Sequence, residues 1–213
     1  RFTQIEPKVL FAANGYYYNG KKFDSLEKLN SILDQLPSVD HVVVTPYTDS
    51  NHDISSVKNG ILWDNFIDSN PSPLKFEQLP FQHPLYIMYS SGTTGLPKSI
   101  VHGAGGTLIQ HLKELRLHCN IYPEDTIFYF TTCGWMMWNW LVSNLAIGAA
   151  IVLYDGSPLQ PNSNAMWDMV DELGITHFGT SAKYIEACRQ KGLNPIKTHS
   201  LESMQTIFST GSP

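Results

Sequence analysis

Ser90-Ser-Gly-Thr-Thr-Gly-Leu-Pro-Lys98 sets two glycines, four hydroxyl side chains and a lysine in nine consecutive positions. Gly92 and Gly95 let the backbone turn tightly and bring its N–H groups close to a ligand. Ser90, Ser91, Thr93 and Thr94 add hydroxyl donors, and Lys98 adds a mobile full charge. The preceding Pro84-Leu-Tyr-Ile-Met-Tyr89 reads as a short buried strand, and Ser99-Ile-Val-His102 reads as the next one. A glycine- and hydroxyl-rich loop between two strands is where an α/β protein holds a polyphosphate. A solvated turn accounts for any two of these residues but not for all of them together.

The loop is not a Walker A motif, because Gly92 and Gly95 are separated by two residues and Pro97 stands where the second glycine belongs. No G-x-S-x-G elbow surrounds Ser90 or Ser91, which argues against a serine hydrolase. Ser90–Lys98 does resemble the signature loop of the adenylate-forming acyl-CoA synthetases. The resemblance implies that the loop folds over the β- and γ-phosphates of ATP. Ser90, Ser91, Gly92, Thr93, Thr94, Gly95 and Lys98 would then bind phosphate, with Thr94 and Lys98 supporting catalysis.

A second stretch, Thr131-Thr-Cys-Gly-Trp-Met-Met-Trp-Asn-Trp140, concentrates three Trp and two Met. By itself it reads as an aromatic core patch. An apolar wall at a strand end also suits a pocket around one reactive carboxylate. It follows a strand expected in the same sheet as the phosphate loop. The family resemblance places Trp135, Met136 and Met137 along the acyl and pantetheine sites, although acetate-activating members carry smaller residues where the two methionines stand. Leu153–Pro158 resembles the strand-end turn that follows in the family. Gly179–Tyr184 resembles its Thr-Ala-Pro helix start, with Lys183 in place of the proline. Ser209-Thr-Gly-Ser-Pro213 resembles the loop under the adenine, giving that role to Gly211, Ser212 and Pro213, with Ser212 replacing a glutamate.

Composition is compatible with this. The 213 residues carry 42% hydrophobic side chains, enough for a sizeable core, and a net charge of −5. No Lys/Arg cluster marks a nucleic-acid or anionic-lipid surface, so neither nucleic acid nor membrane is expected as a partner. The longest apolar stretch, Leu141–Tyr154, is shorter than the roughly 20 residues of a membrane span and splits into a helix and a strand. Three cysteines, Cys119, Cys133 and Cys188, fit neither a disulfide framework nor a zinc site, and no signal peptide is apparent. The reading is a soluble, cytoplasmic chain.

Both ends look cut: Arg1 is not Met, and Gln205–Pro213 is a strand entering a loop. Residues 1–213 are therefore expected to be an internal segment of a larger enzyme, and the family resemblance implies that they lack its C-terminal domain and are inactive alone.

Strand and helix signals alternate between these ends. Strands are expected at Lys8–Ala12, His41–Thr45, Thr126–Phe130, Ala150–Tyr154, Ile175–Gly179 and Gln205–Ser209. Helices are expected at Asp24–Leu36, with Asp24 and Glu27 at capping-box spacing, and at Thr107–His118, Asn164–Leu173 and Ser181–Gln190. Thr48–Ser56 and Asn65–Gln82 read as loop and connector. The βαβ rhythm predicts an α/β fold with a largely parallel sheet and flanking helices, and the family resemblance implies that it is part of the large N-terminal domain of an adenylate-forming enzyme. His102 reads as a structural histidine, and His111 and His118 as solvated residues without metal spacing. Asp53, Asp64, Asp68, Asp168 and Asp171 are assigned no catalysis.

The resemblance implies an acid–thiol ligase that uses ATP, coenzyme A and magnesium, with the magnesium ligands outside these residues. Its small-molecule acid is expected to be acetoacetate, with acetate or propionate as the alternative. A nucleotide-binding module without catalysis is a further alternative.

Overall fold

The computed structural model describes residues 1–50, 53–90 and 95–211. They fall into two compact units, Arg1–Pro80 with Ile87–Val101 and Phe81–Tyr86 with His102–Pro213.

The first unit is built on β1 (Val9–Ala13), β2 (Gly15–Tyr18), β3 (Lys21–Asp24), α1 (Leu26–Leu33), β4 (His41–Thr45), β5 (Gly60–Leu62) and α2 (Trp63–Phe66). β4 lies between β1 and β5 in a parallel sheet. Its Val42, Val43 and Val44 are wholly buried, as a continuous β-branched run demands of a strand covered on both faces. Val42 and Val44 pack with Leu29, Leu33 and Leu36 of the α1 region. On β1, Phe11 meets Trp63 and Phe66 of α2 edge-on. Helix α1 is shorter than its sequence pattern because Asp24 closes β3 and its carboxylate accepts the Leu26 N–H at 2.7 Å. That local bond replaces the expected capping box. The β2–β3 hairpin was not among the expected elements, although Asn19-Gly20 signals it: both residues have positive φ, 51° and 76°, as a tight hairpin turn requires.

Strands β6 (Pro84–Ser90) and β7 (Lys98–Gly103) pair with each other. β6 is less covered than its apolar run suggests, with Leu85 and Ile87 exposed. Among the described residues the pair forms a two-stranded sheet of its own, not part of the sheet that carries the tryptophan segment.

The second unit continues with α3 (Ala104–Lys113), a π-helical turn at Glu114–His118, β8 (Thr126–Tyr129), α4 (Met136–Val142), β9 (Ala150–Val152), α5 (Ala165–Leu173), β10 (His177–Ser181), α6 (Ala182–Gln190), α7 (Pro195–Thr198) and β11 (Thr206–Thr210). The strands form one parallel sheet in the order β11-β10-β8-β9. β10 begins two residues later than its apolar pattern indicated, because Ile175 is buried in the turn before it.

Successive residues of β8 serve opposite faces. Phe128 packs with Trp167 and Val170 of α5 and Tyr184 of α6, whereas Ile127 and Tyr129 pack with Leu115 and with Trp140 of α4. The sheet is thus covered on both sides, and each face has its own core. Within α3, Leu108 is exposed and Leu115 is fully buried in the π-helical turn. His111 is buried and not solvated, because its Nδ1 lies 2.7 Å from Ser143 Oγ.

Candidate functional site

In the first unit, Ser90 ends β6 and Lys98 opens β7, so both stand where their strands meet the hydroxyl-rich loop. Ser90 is half-buried and Lys98 exposed. Gly95 has φ of 93°, a backbone conformation that a side chain would strain. Ser91, Gly92, Thr93 and Thr94 lie outside the described residues, as do Ser212 and Pro213. Near the loop's bases, the Tyr89 hydroxyl donates to the Arg1 carbonyl at 3.2 Å and Ser99 Oγ donates to Gln4 Oε1 at 2.9 Å. These bonds tie both strands to the N-terminal turn and leave the Lys98 ammonium in solvent.

In the second unit, chain order and strand order disagree at one place. The chain runs from β8 out to β9, then returns to place β10 on the other side of β8. Because α4 and α6 belong to different cores, the segments leaving β8 and β10 diverge to opposite faces of the sheet. α/β proteins bind ligands at the carboxyl ends of two neighbouring strands whose connections diverge in this way.

The tryptophan segment leaves β8 on the α4 side. Trp135 is the residue before α4 and is 70% exposed, and Met136 is 51% exposed, so both side chains are available to a ligand. Met137 is half-buried and packs against the core around Trp140 and Leu141. The core-patch reading holds for Trp140, and the pocket reading is open to Trp135, Met136 and the uncovered side of Met137. On the other rim, Ser181 caps α6 by accepting the Tyr184 N–H at 3.3 Å, and Lys183 is exposed in the first turn. Gly211, with φ of 95°, follows β11 at the same edge of the sheet.

One ring holds these strand ends together. Tyr129 is 4% exposed, and its hydroxyl lies 3.3 Å from the Thr180 carbonyl oxygen and 3.0 Å from Thr210 Oγ1. To reach β11 from β8 the ring crosses β10 at Gly179. A Cβ there would stand 2.5 Å from Tyr129 Cγ and 2.6 Å from Cε2, so glycine is required. Neither Tyr129 nor Thr210 was among the expected site residues. The available signal was a glycine inside a strand, which marks a close approach by another group.

Titratable groups nearby are shifted mainly by burial. Burial lowers the pKa of His111 below its ordinary value, opposed by Glu114 and reinforced by His102. Burial raises the phenol of Tyr86, against a hydrogen bond from Thr107, and the ring of Tyr86 lies 5.1 Å from that of His102. His102 is half-buried beside that ring. Among the described residues no group of three His, Cys, Asp or Glu side chains could hold a metal ion, and no helix is long and apolar enough to cross a membrane.

Comparison with known proteins assigns the chain to a family over its whole length. The AMP-binding enzyme family model matches residues 1–213. An acetoacetyl-CoA synthetase from Gallus gallus is 54% identical over 220 residues, covering 100% of this chain and 33% of that protein. An acetoacetyl-coenzyme A synthetase from Rhizobium meliloti (strain 1021) is 51% identical, again covering 100% and 33%. The solved acetoacetyl-CoA synthetase from Streptomyces lividans superposes with a TM-score of 0.89 at 44% identity, covering 100% of this chain and 32% of that one. The chain therefore spans about a third of the length of the relatives it matches.

Proposed function

We propose, from the premise that this chain belongs to the AMP-binding enzyme family, that the whole protein activates acetoacetate with ATP and passes the acyl group to coenzyme A. A carboxylate oxygen of acetoacetate attacks the α-phosphorus of ATP, the bond to the bridging oxygen breaks, and pyrophosphate leaves. The sulfur of coenzyme A then attacks the acyl carbon, its proton is released, and AMP leaves with the electron pair of the broken C–O bond. Residues 1–213 would form part of the large N-terminal domain of this ligase.

The observation that carries the reading is the match along all of residues 1–213 to acetoacetyl-CoA synthetases of animal and bacterial origin. The geometry agrees with it. Lys98 stands exposed at the base of the Ser90–Lys98 loop, where its charge can oppose the charge gathering on departing pyrophosphate. Ser90, with Ser91, Gly92, Thr93, Thr94 and Gly95, would bind the phosphates, and Thr94 would assist Lys98. Gly211, with Ser212 and Pro213, would lie under the adenine. Trp135, Met136 and Met137 would border the acyl group and the pantetheine arm. Magnesium would accompany ATP, with its ligands outside the described residues, which offer it no cluster of three His, Cys, Asp or Glu side chains. All three cysteines are free, which suits the cytosol.

The test is pyrophosphate release by the full-length protein with acetoacetate, acetate and butyrate. Acetoacetate should be preferred. Lys98→Ala should slow ATP–pyrophosphate exchange by roughly 10- to 1,000-fold, the range for removing one such donor. Preference for acetate would overturn the substrate reading, and unchanged exchange in the variant would overturn the role of Lys98. No release with any acid would leave only a nucleotide-binding module.

A further inference from the structure

We propose that Asn19, at the tip of the β2–β3 hairpin, is a self-modification site. Its side-chain amide is lost to the backbone nitrogen of Gly20, and the isoaspartate that follows opens the hairpin tip. Neither step depends on the activity or the ligands of the protein.

Asn-Gly is the dipeptide in which this reaction is least hindered, because glycine sets no side chain beside the attacking nitrogen. The chain has three such pairs, Asn14-Gly15, Asn19-Gly20 and Asn59-Gly60. The fold restrains two of them. Asn14 is 4% exposed, and its Oδ1 accepts the N–H groups of Tyr47 and Thr48 at 2.8 and 3.0 Å. Its Nδ2 donates to the Asp49 carbonyl at 3.0 Å. Asn59 is exposed, but its Nδ2 donates to the Val39 carbonyl at 3.2 Å. The Gly60 N–H donates to the Val57 carbonyl at 3.0 Å, so both reacting groups of that pair are held. Asn19 and Gly20 are both exposed, and the Asn19 side chain has no hydrogen bond among the described residues. Nothing lies within 4 Å of where a Cβ on Gly20 would stand, so the forming ring has room.

The chemistry needs only water and solvent base. Base takes the Gly20 N–H proton, and the nitrogen attacks Asn19 Cγ. The Cγ–Nδ2 bond breaks, and Nδ2 leaves as ammonia with a proton from water, closing a succinimide. Water then opens the ring at either carbonyl. Cleavage at Cγ restores the main chain and leaves aspartate. Cleavage at the former backbone carbonyl routes the chain through Cβ and Cγ and leaves isoaspartate. The two products differ in what they do to the turn. Asn19 and Gly20 have φ of 51° and 76°, and aspartate tolerates the left-handed conformation as asparagine does. Isoaspartate lengthens the main chain inside a two-residue turn, which no longer matches the Tyr18–Lys21 and Tyr17–Lys22 pairs. The pair forms a sheet of its own, so its tip has no further strand to hold it. Its base stays fixed, because the Ser25 N–H donates to the Asn14 carbonyl at 3.0 Å.

The experiment ages the full-length protein for weeks at mildly alkaline pH, folded and in denaturant, and maps the three pairs by peptide mass and isoaspartate-specific fragmentation. In the folded protein Asn19 should convert first. A hydrogen bond that must break beforehand slows reaction about two- to tenfold, so Asn59, with two, should lag about 4- to 100-fold. Asn14, with three and its burial, should lag further. In denaturant the three rates should converge. Brief trypsin treatment then reads the hairpin: cleavage after Lys21 or Lys22 should be about two- to tenfold faster in the isoaspartyl fraction, the range for one lost ladder bond. Asn19→Gln, which cannot close the same five-membered ring, should age without that change. Asn19→Asp, with an unaltered main chain, should be cut like fresh protein.

Asn14 or Asn59 keeping pace with Asn19 in the folded protein would overturn the assignment. So would an Asn19 that reacts only in denaturant, or a lag of the other two that persists there, since the fold would then not be choosing the site. Equal cleavage of fresh and isoaspartyl protein, or faster cleavage of aged Asn19→Gln, would overturn the opening of the hairpin. Fast cleavage of Asn19→Asp would assign the effect to charge and overturn the main-chain account.

Discussion

Gly179→Ala would set a new methyl group against the ring of a buried tyrosine. A Cβ at that position would sit 2.5 Å from Cγ and 2.6 Å from Cε2 of Tyr129, well inside contact distance. The ring cannot simply slide aside, because Tyr129 is buried among Trp140, Leu141 and Leu115. Forcing an extra methyl into such packing costs about 1–3 kcal/mol. Displacing the ring also weakens the hydroxyl's contacts with Thr180 and Thr210, at about 0.5–1.5 kcal/mol for each hydrogen bond. Together these give about 2–6 kcal/mol. For a domain of this size each kcal/mol lowers Tm by roughly 2–4 °C, so a fall of roughly 4–24 °C is expected. Thermal unfolding followed by circular dichroism measures it. A second variant checks the cause: with Tyr129→Leu the obstructing ring is gone, and adding Gly179→Ala to it should cost little more. A Tm within about 2 °C of the unmodified protein for Gly179→Ala alone would refute the reasoning. So would losses that simply add in the double variant.

Two further outcomes are expected. Burial holds the pKa of His111 below its ordinary value of 6.5, with Glu114 opposing, so the folded protein resists a proton that the unfolded chain accepts. Stability should therefore be fully present above pH 6.5 and fall below it, by up to about 1.4 kcal/mol per pH unit until the folded-state pKa is passed. His111→Gln should flatten that part of a Tm-against-pH profile, and a profile unchanged by the substitution would show that another group sets the slope. The two adjacent methionines should separate: Met136→Trp, on an exposed side chain, should alter the preference between acetoacetate and acetate by about 10- to 200-fold at most with Tm preserved. Met137→Trp should instead lower Tm, since Met137 packs against the Trp140 core, and an unaltered Tm would place it outside that core.

Local signals settled a good part of this protein without any help from tertiary contacts. His41–Thr45 reads as a strand buried on both faces, because four consecutive β-branched residues, Val42 to Thr45, leave no side for water, and its bounds agree to the residue. Asn164 and Ser181 mark the starts of α5 and α6 as capping residue types should, and Ser181 does so through its own hydroxyl. The hydroxyl-rich loop between two strands was legible for the same reason: strand, turn and charge are all properties of neighbours in sequence.

What the sequence could not decide is how distant segments divide the space between them. That β10 lies beside β8 and not beside β9, so that the segments leaving β8 and β10 diverge, depends on which sheet faces α4, α5 and α6 cover. The separate pairing of β6 with β7, against an expected common sheet, is likewise set by partners and not by the strands' own composition. His111 looked solvated because helical spacing alone puts it in line with His118. Only the arrival of Ser143, thirty-two residues onward, buries it and gives it a bond. Tyr129 reaching Thr210 across Gly179 joins three strands far apart in sequence. Periodicity and capping act over a turn or two of chain, whereas packing is settled by contact, and contact is what distinguishes one tyrosine from another.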